Sequence, residues 1–260
     1  MTEWLYGRNA VYEAMRAKRR HFFRLRLARG VEEKGRLADI IQMAAGFKLP
    51  IDWVHRDSLD ALGKGHQGMA VEASSFTYCG LADILALATR RNEHAFVLIL
   101  DVIQDPQNLG TLIRTAEGVG VHGVLLPFRH TASVTPAVVN ASSGACEHLL
   151  VTQVNLAQAI QQLKEENIWI VGLDAGLEAQ PLKKVRLDGP LALVIGGEGG
   201  GMRPLVRKSC DMLLRLPMRG KVESLNAAVA GSIALYFAWQ KRDFDTESID
   251  TESIDDLDNP

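Results

Sequence analysis

From Ala95 onward the chain alternates short apolar runs with amphipathic stretches, and this rhythm restricts the fold more than any other feature. "FVLIL" (Phe96 to Leu100) is apolar at every position and ends in Asp101. A strand alternates faces, so an unbroken apolar run implies a strand covered on both sides. A polar loop and a helix over Leu109 to Gly118 follow. "VHGVLLP" (Val121 to Pro127) is the next strand, and a helix then runs through Val138. "HLLVTQV" reads as a strand, "NLAQAIQQLKEEN" as an amphipathic helix, and "IWIVGL", "LALVIG" and "MLLRLP" as three further strands. A long helix is expected from about Ser224 to Gln240. Strands alternating with helices predict an α/β fold with a parallel sheet covered on both faces.

Residues 1–75 have a different rhythm and predict a small α/β module of their own. It has a helix over Ala10 to Arg16, a strand over Phe23 to Leu27 and a helix over Lys34 to Ala45. A short strand near Ile51 to Val54 follows, and "HQGMAVEAS" (His66 to Ser74) closes the unit. The expected division is therefore 1–75 for this module, 76–94 for a linker with some helical pattern, and 95–242 for the βα part. Residues 243–260 form an acidic tail. The tail repeats "DTESID" and has too few apolar residues to bury, so disorder is expected there.

Charge separates the same regions. Eight of the 31 acidic residues lie between Asp243 and the end, with no basic residue among them. The other 242 residues hold 29 basic and 23 acidic groups, and residues 1–36 alone hold ten Lys/Arg against four Asp/Glu. A basic excess of this kind fits an anionic partner such as RNA, and equally fits a solvated surface of long side chains. At 47% hydrophobic and 23% charged residues, the composition is that of a globular protein with a real core. The N-terminus lacks the apolar stretch of a signal peptide. The longest apolar segment, Leu225 to Trp239, is broken by Asn226, Gly231 and Ser232, so no membrane span is expected. Three widely spaced cysteines suggest neither a disulfide frame nor a metal site. The expected compartment is the cytoplasm.

Open parallel sheets bind ligands beyond the carboxyl ends of their strands. Three such ends here carry unusual residues. "DVIQDPQNLGTLIRTAEGVG" contains Asn108 and Arg114. "LALVIGGEGGG" contains Gly196, Gly197 and Glu198. "LPMRGKVESLNAAVAGSIALY" contains Leu216, Met218, Ser224, Leu225 and Asn226. A glycine turn after a strand usually cradles phosphate, but the Glu198 carboxylate repels an anion. Each stretch also has a plain structural reading. Asn108, Ser224 and Asn226 are possible helix caps, Arg114 a possible partner of Glu117, and Glu198 a possible solvated loop residue. His66 and Gln67 fit either RNA contact or turn formation.

Taken together, the three stretches resemble the signature motifs of the SpoU (TrmH-type) branch of the SPOUT RNA methyltransferases. Asn108, Arg114 and Gly120 match the first motif; Gly196, Gly197, Glu198 and Gly199 match the second. Pro217, Met218, Gly220, Val222, Ser224, Leu225 and Asn226 match the third. "YGRNAVYEAM", "HQGMAV" and "SSGACEHL" are similar to further segments of the branch. The layout is most similar to the RlmB-type subgroup, which methylates a guanosine ribose in large-subunit ribosomal RNA.

The resemblance implies a catalytic domain with a C-terminal trefoil knot, an N-terminal RNA-binding domain and a homodimer. It implies S-adenosylmethionine as cofactor, with no metal, and RNA as substrate. Gly196, Gly197, Leu216, Met218, Leu225 and Asn226 then form the cofactor pocket. Asn108, Arg114, Glu198, Ser224 and Asn226 serve the transfer of a methyl group to a ribose 2′-hydroxyl, with Asn108, Ser224 and Asn226 orienting the ribose and Arg114. The positive sulfonium removes the conflict between Glu198 and the glycines. Two options stand for the proton: Arg114 in a perturbed state accepts it, or Arg114 holds a phosphate and the developing alkoxide while Glu198 or water accepts it. The rival readings are a transfer RNA ribose methyltransferase and a non-catalytic RNA-binding protein on the same scaffold.

Overall fold

Apolar runs without alternation occupy the middle of the larger sheet in the computed structural model, which describes residues 1–222 and 224–242. β5 (Phe96–Asp101), β6 (Gly123–Pro127) and β10 (Leu191–Gly196) are buried at every position. Around them lie β7 (Leu150–Val154), β8 (Trp169–Leu173), β9 (Gln180–Pro181) and β11 (Met212–Arg215). Among the described residues the order is β7-β6-β5-β10-β8-β11-β9, and every pairing is parallel. The chain runs outward from β5 through β6 to β7, then returns to build the other half. The β5–β10 junction is thus a topological switch point, the kind of place where open α/β sheets bind ligands. Gly196 pairs with Asp101 at that edge.

α5 (Pro106–Gly118), α6 (Pro136–Ala141), α7 (Leu156–Glu165), α8 (Pro204–Ser209) and α9 (Ala227–Gln240) belong to this half. α4 (Leu81–Arg90) lies in the segment expected as a linker. Its Ile84 is buried with Val97, Ile99 and Leu125, its Ala88 is also buried, and the Cys79 N–H bonds the Val151 carbonyl. The segment is therefore packed onto the sheet.

The N-terminal half contains β1 (Thr2–Tyr6), α1 (Arg8–Ala17), β2 (Phe22–Ala28), α2 (Arg36–Gly46), β3 (Ile51–Val54), α3 (Asp57–Asp60) and β4 (Met69–Ser74). Its sheet runs β1-β4-β2-β3 and is mixed, with β4 antiparallel to both neighbours. β1 is absent from the sequence expectation: "TEWLY" is short and buries only Leu5 fully, so it carries too little pattern. The expected disorder of residues 243–260 lies outside the described residues.

One buried ion pair fixes the two halves to each other. The Arg20 guanidinium meets the Glu147 carboxylate in a fork, Nε to Oε2 at 2.9 Å and Nη2 to Oε1 at 2.7 Å, with both side chains 1% exposed. Glu3 bonds the same guanidinium. Burial disfavours the Arg20 charge, but the two carboxylates outweigh it and hold the group above the ordinary arginine value. Arg19 Nη1 reaches the carbonyls of Glu147 (3.3 Å) and Leu149 (3.0 Å), and Asn140 Nδ2 reaches the Tyr6 carbonyl at 3.0 Å. Removing one partner from a buried pair of this kind costs roughly 3–5 kcal/mol.

Candidate active site

α5 begins where a proline fixes the first helical residue and Asp105 caps the end. The Asp105 carboxylate accepts from the N–H groups of Gln107 and Asn108, both at 3.2 Å. Asn108 is thus not the cap, and its side chain is left to reach across the sheet edge. Its Nδ2 donates to Glu198 Oε1 at 2.9 Å. Glu198 stands in the glycine loop that leaves β10.

That loop is folded tightly on itself. A Cβ on Gly196 would overlap the backbone of Gly201 and Met202, and one on Gly197 would overlap the Val102 carbonyl. These two glycines serve the turn's own closure, sealed by a bridge between Gly197 and Gly201. Gly199 and Gly200 instead face open space. The loop's far end is pinned by Asp101, which is fully buried at the tip of β5. Its carboxylate accepts from the Arg203 backbone N–H and from Arg203 Nε, each at 2.7 Å. Next to Asp101, Val102 has φ +62°, an unusual conformation for a β-branched residue and one that concentrates at functional sites.

The third loop joins through Asn226. Its Oδ1 caps α9 by accepting from Ala228 N (2.9 Å) and Val229 N (3.1 Å). Its Nδ2 donates to Glu198 Oε1 and to Asn108 Oδ1, the latter at 3.1 Å. α9 therefore starts at Ala227 rather than near Ser224, because its cap lies at Asn226. The start of α5, the glycine loop and the residue capping α9 thus meet at one carboxylate. Ser224 is exposed two residues before this junction. Leu216 is buried, whereas Met218 (41%) and Leu225 (37%) leave apolar surface exposed on the same loop.

Arg114 does not join this group. Asn108 and Arg114 lie six residues apart on α5, about 9 Å along the axis and roughly 120° around it. Arg114 Nη1 donates instead to Ser143 Oγ at 3.1 Å, at the seam with the N-terminal half. Within this chain Asn108 and Asn226 hold Glu198. Ser143, which sequence reasoning missed, sits at φ +54° just past the end of α6. Gly144 N bonds the Val139 carbonyl and Ser143 N the Asn140 carbonyl, a helix-closing pattern that favours glycine at this left-handed position. A serine there keeps a hydroxyl for Arg114.

His66 bonds within the turn and to α3, and Gln67 bonds the start of α1. His66 is buried, with Nδ1 accepting from Gly68 N at 3.0 Å and Nε2 2.9 Å from Asp60 Oδ1; Gln67 accepts from Arg8 N. Trp53 and Trp169 are about two-fifths exposed. Among the described residues no cluster of His, Cys, Asp or Glu suits a metal, and no helix is long and apolar enough to cross a membrane.

Comparison with known proteins gives the class: the methyltransferases that act on RNA. The chain belongs to the SpoU rRNA methylase family, which matches residues 95–236. Residues 4–79 match the substrate-binding domain of RNA 2′-O ribose methyltransferases. The chain is 40% identical over 242 residues to YacO of Bacillus subtilis (strain 168), assigned to the TrmH family of tRNA/rRNA methyltransferases, with 92% of this chain and 96% of YacO covered. A TrmH family tRNA/rRNA methyltransferase of Staphylococcus haemolyticus (strain JCSC1435) is 38% identical over 240 residues, covering 92% and 95%. In fold the chain is similar to the SpoU methyltransferase AviRb from Streptomyces viridochromogenes, whose crystal structure holds AdoMet. The TM-score is 0.77 at 23% identity, covering 92% of this chain and 89% of AviRb.

Proposed function

We propose that this enzyme methylates the ribose 2′-hydroxyl of a guanosine in 23S ribosomal RNA, as the RlmB-type subgroup does, and works as a homodimer in the cytoplasm with a trefoil knot around its cofactor site. The convergence of Asn108 and Asn226 on Glu198 carries the reading. Exposed Met218 and Leu225, together with the Glu198 carboxylate, fit the apolar adenosine and the sulfonium cation of S-adenosylmethionine. When bound, that cofactor supplies an electrophilic methyl group.

The protein's part is to position and to handle charge. Asn108 and Asn226 hold Glu198 in place by their amide groups. Arg114 holds the nucleotide phosphate through its guanidinium fork, and Glu198 or water accepts the proton that the attacking hydroxyl loses. Positioning of this kind supplies up to about 7–11 kcal/mol in well-oriented systems. The outer face of α9 supports the homodimer. Its inner face (Ala228, Gly231, Ala234, Leu235, Ala238) is buried, yet Val229 and Tyr236 are about half exposed. A groove of about 390 Å³ there is lined by Ser232, Ile233, Tyr236, Phe237 and Gln240. Ser232 Oγ lies 2.9 Å from Thr115 Oγ1, so a second copy in the groove stands beside the residue next to Arg114.

The test is labelled-methyl transfer to unmodified 23S RNA and to bulk transfer RNA, followed by mapping of the acceptor. Label on 23S RNA that disappears with a 2′-deoxyguanosine at the mapped position supports the proposal. Label on transfer RNA alone favours the rival substrate. Methylation of the deoxy RNA overturns the ribose assignment, and RNA binding without transfer favours a non-catalytic role.

A further inference from the structure

The seam between the two halves contains a polar cleft of about 300 Å³, and Arg114 opens into it. Three guanidinium groups line it: Arg114 from α5, Arg16 from α1 and Arg36 at the start of α2. Asn9 and Ser143 add neutral hydrogen-bonding groups. Two carboxylates and one imidazole also face the space, namely Glu13, Glu117 and His148. Glu13 is already engaged, 3.3 Å from Arg16 Nε and 2.9 Å from His148 Nε2. The Arg36 guanidinium lies 3.8 Å from the centre of the Tyr12 ring, which orients its planar fork.

Resting on the methyltransferase reading, we propose that this cleft is the phosphate subsite for the acceptor nucleotide, and that Arg16 and Arg36 are binding residues supplied by the N-terminal half. Guanidinium forks match phosphate oxygens in pairs, and here three arginines line one cleft of about 300 Å³. Separation of Arg114 from Glu198 along α5 then has a use: one end of the helix serves the methyl donor, the other the RNA backbone. The buried Arg20–Glu147 pair holds the walls of the cleft in register before RNA arrives. Substrate specificity is thereby joined to the reaction by geometry, since the N-terminal half completes the site.

The experiment measures guanosine 3′,5′-bisphosphate binding by calorimetry, without cofactor, to the full chain and to Arg16→Ala, Arg36→Ala and Arg36→Lys. Arg186→Ala, which removes an exposed arginine paired with Asp188, controls for overall charge. The expected result is at least a tenfold loss of affinity in each alanine variant, substantial retention in Arg36→Lys and no change in Arg186→Ala. Guanosine lacking phosphates should bind no better to the wild type than to the variants. In turnover assays the KM for RNA should rise at least tenfold in the alanine variants while S-adenosylmethionine affinity stays constant. The salt dependence of RNA binding should fall by about 0.7 in log–log slope per arginine removed. Bisphosphate binding that is equal in wild type and alanine variants, or absent from the wild type, overturns the proposal. If the wild type transfers no methyl group yet binds the bisphosphate through Arg16 and Arg36, the subsite stands and the methyltransferase reading fails.

Discussion

Asn226 donates through Nδ2 to Glu198 while its Oδ1 caps α9, so one side chain both starts the last helix and ties it to the glycine loop. The two roles use different atoms and can be separated. Asn226→Asp keeps a good cap but loses the donor and sets a second carboxylate against Glu198. Stability is expected to change by less than about 1 kcal/mol relative to a lost cap. S-adenosylmethionine affinity and turnover should each fall at least about tenfold, a change worth about 1.4 kcal/mol. Chemical denaturation and cofactor titration on the same preparation check the split.

Gly196→Ala and Gly197→Ala force a methyl group into backbone atoms that have no rotamer to yield. The turn must open, and the sealed bridge between Gly197 and Gly201 is lost. A cost of about 1–3 kcal/mol is expected from overpacking. Cofactor binding should suffer far more than helix content. Gly200→Ala, which meets open space, serves as the contrast: normal melting, read by circular dichroism, with any loss confined to ligand binding.

Ser143→Gly should move stability and activity in opposite directions. Glycine relieves the left-handed strain at φ +54°, offset in part by greater freedom of the unfolded chain. Stability is expected to be unchanged or raised by up to about 1 kcal/mol. Arg114 loses the hydroxyl that holds it, so kcat on RNA should drop several-fold with cofactor affinity intact. A thermal melt and steady-state kinetics test the two halves of this expectation.

His122 makes the fold acid-sensitive. Its Nδ1 accepts from the Phe96 N–H at 3.0 Å, and its Nε2 lies 2.9 Å from Glu93 Oε2. Burial, aided by Arg91, holds its pKa below the ordinary 6.5 although Glu93 pulls the other way. A folded value below the unfolded one means the unfolded chain takes up the proton first. The contribution is therefore complete above about 6.5 and is lost as pH falls through the lowered folded value. The melting temperature should fall between pH 7 and pH 5, and His122→Asn, which can still accept from Phe96, should flatten that slope.

The sequence by itself determined the central sheet. β6 and β10 are apolar throughout, and β5 is apolar up to Asp101, because both faces of these strands are covered. It also placed Asn108, Glu198 and Asn226 in the segments that follow β5, β10 and β11. It did not determine β1, whose five residues bury one side chain fully, or that Leu81–Arg90 packs against the sheet as α4. Only the tertiary structure decided which of these residues meet. Asn108 and Glu198 are 90 positions apart, and Asn226 is 28 beyond Glu198; strand order brings them within hydrogen-bond reach. The same structure parts Arg114 from Asn108, since six residues of helix turn a side chain away. It then gives Arg114 new neighbours from the N-terminal half. Local pattern records which surface a residue faces, because burial is paid residue by residue. Which distant residue faces it depends on the path of the chain, and that is written in no local pattern.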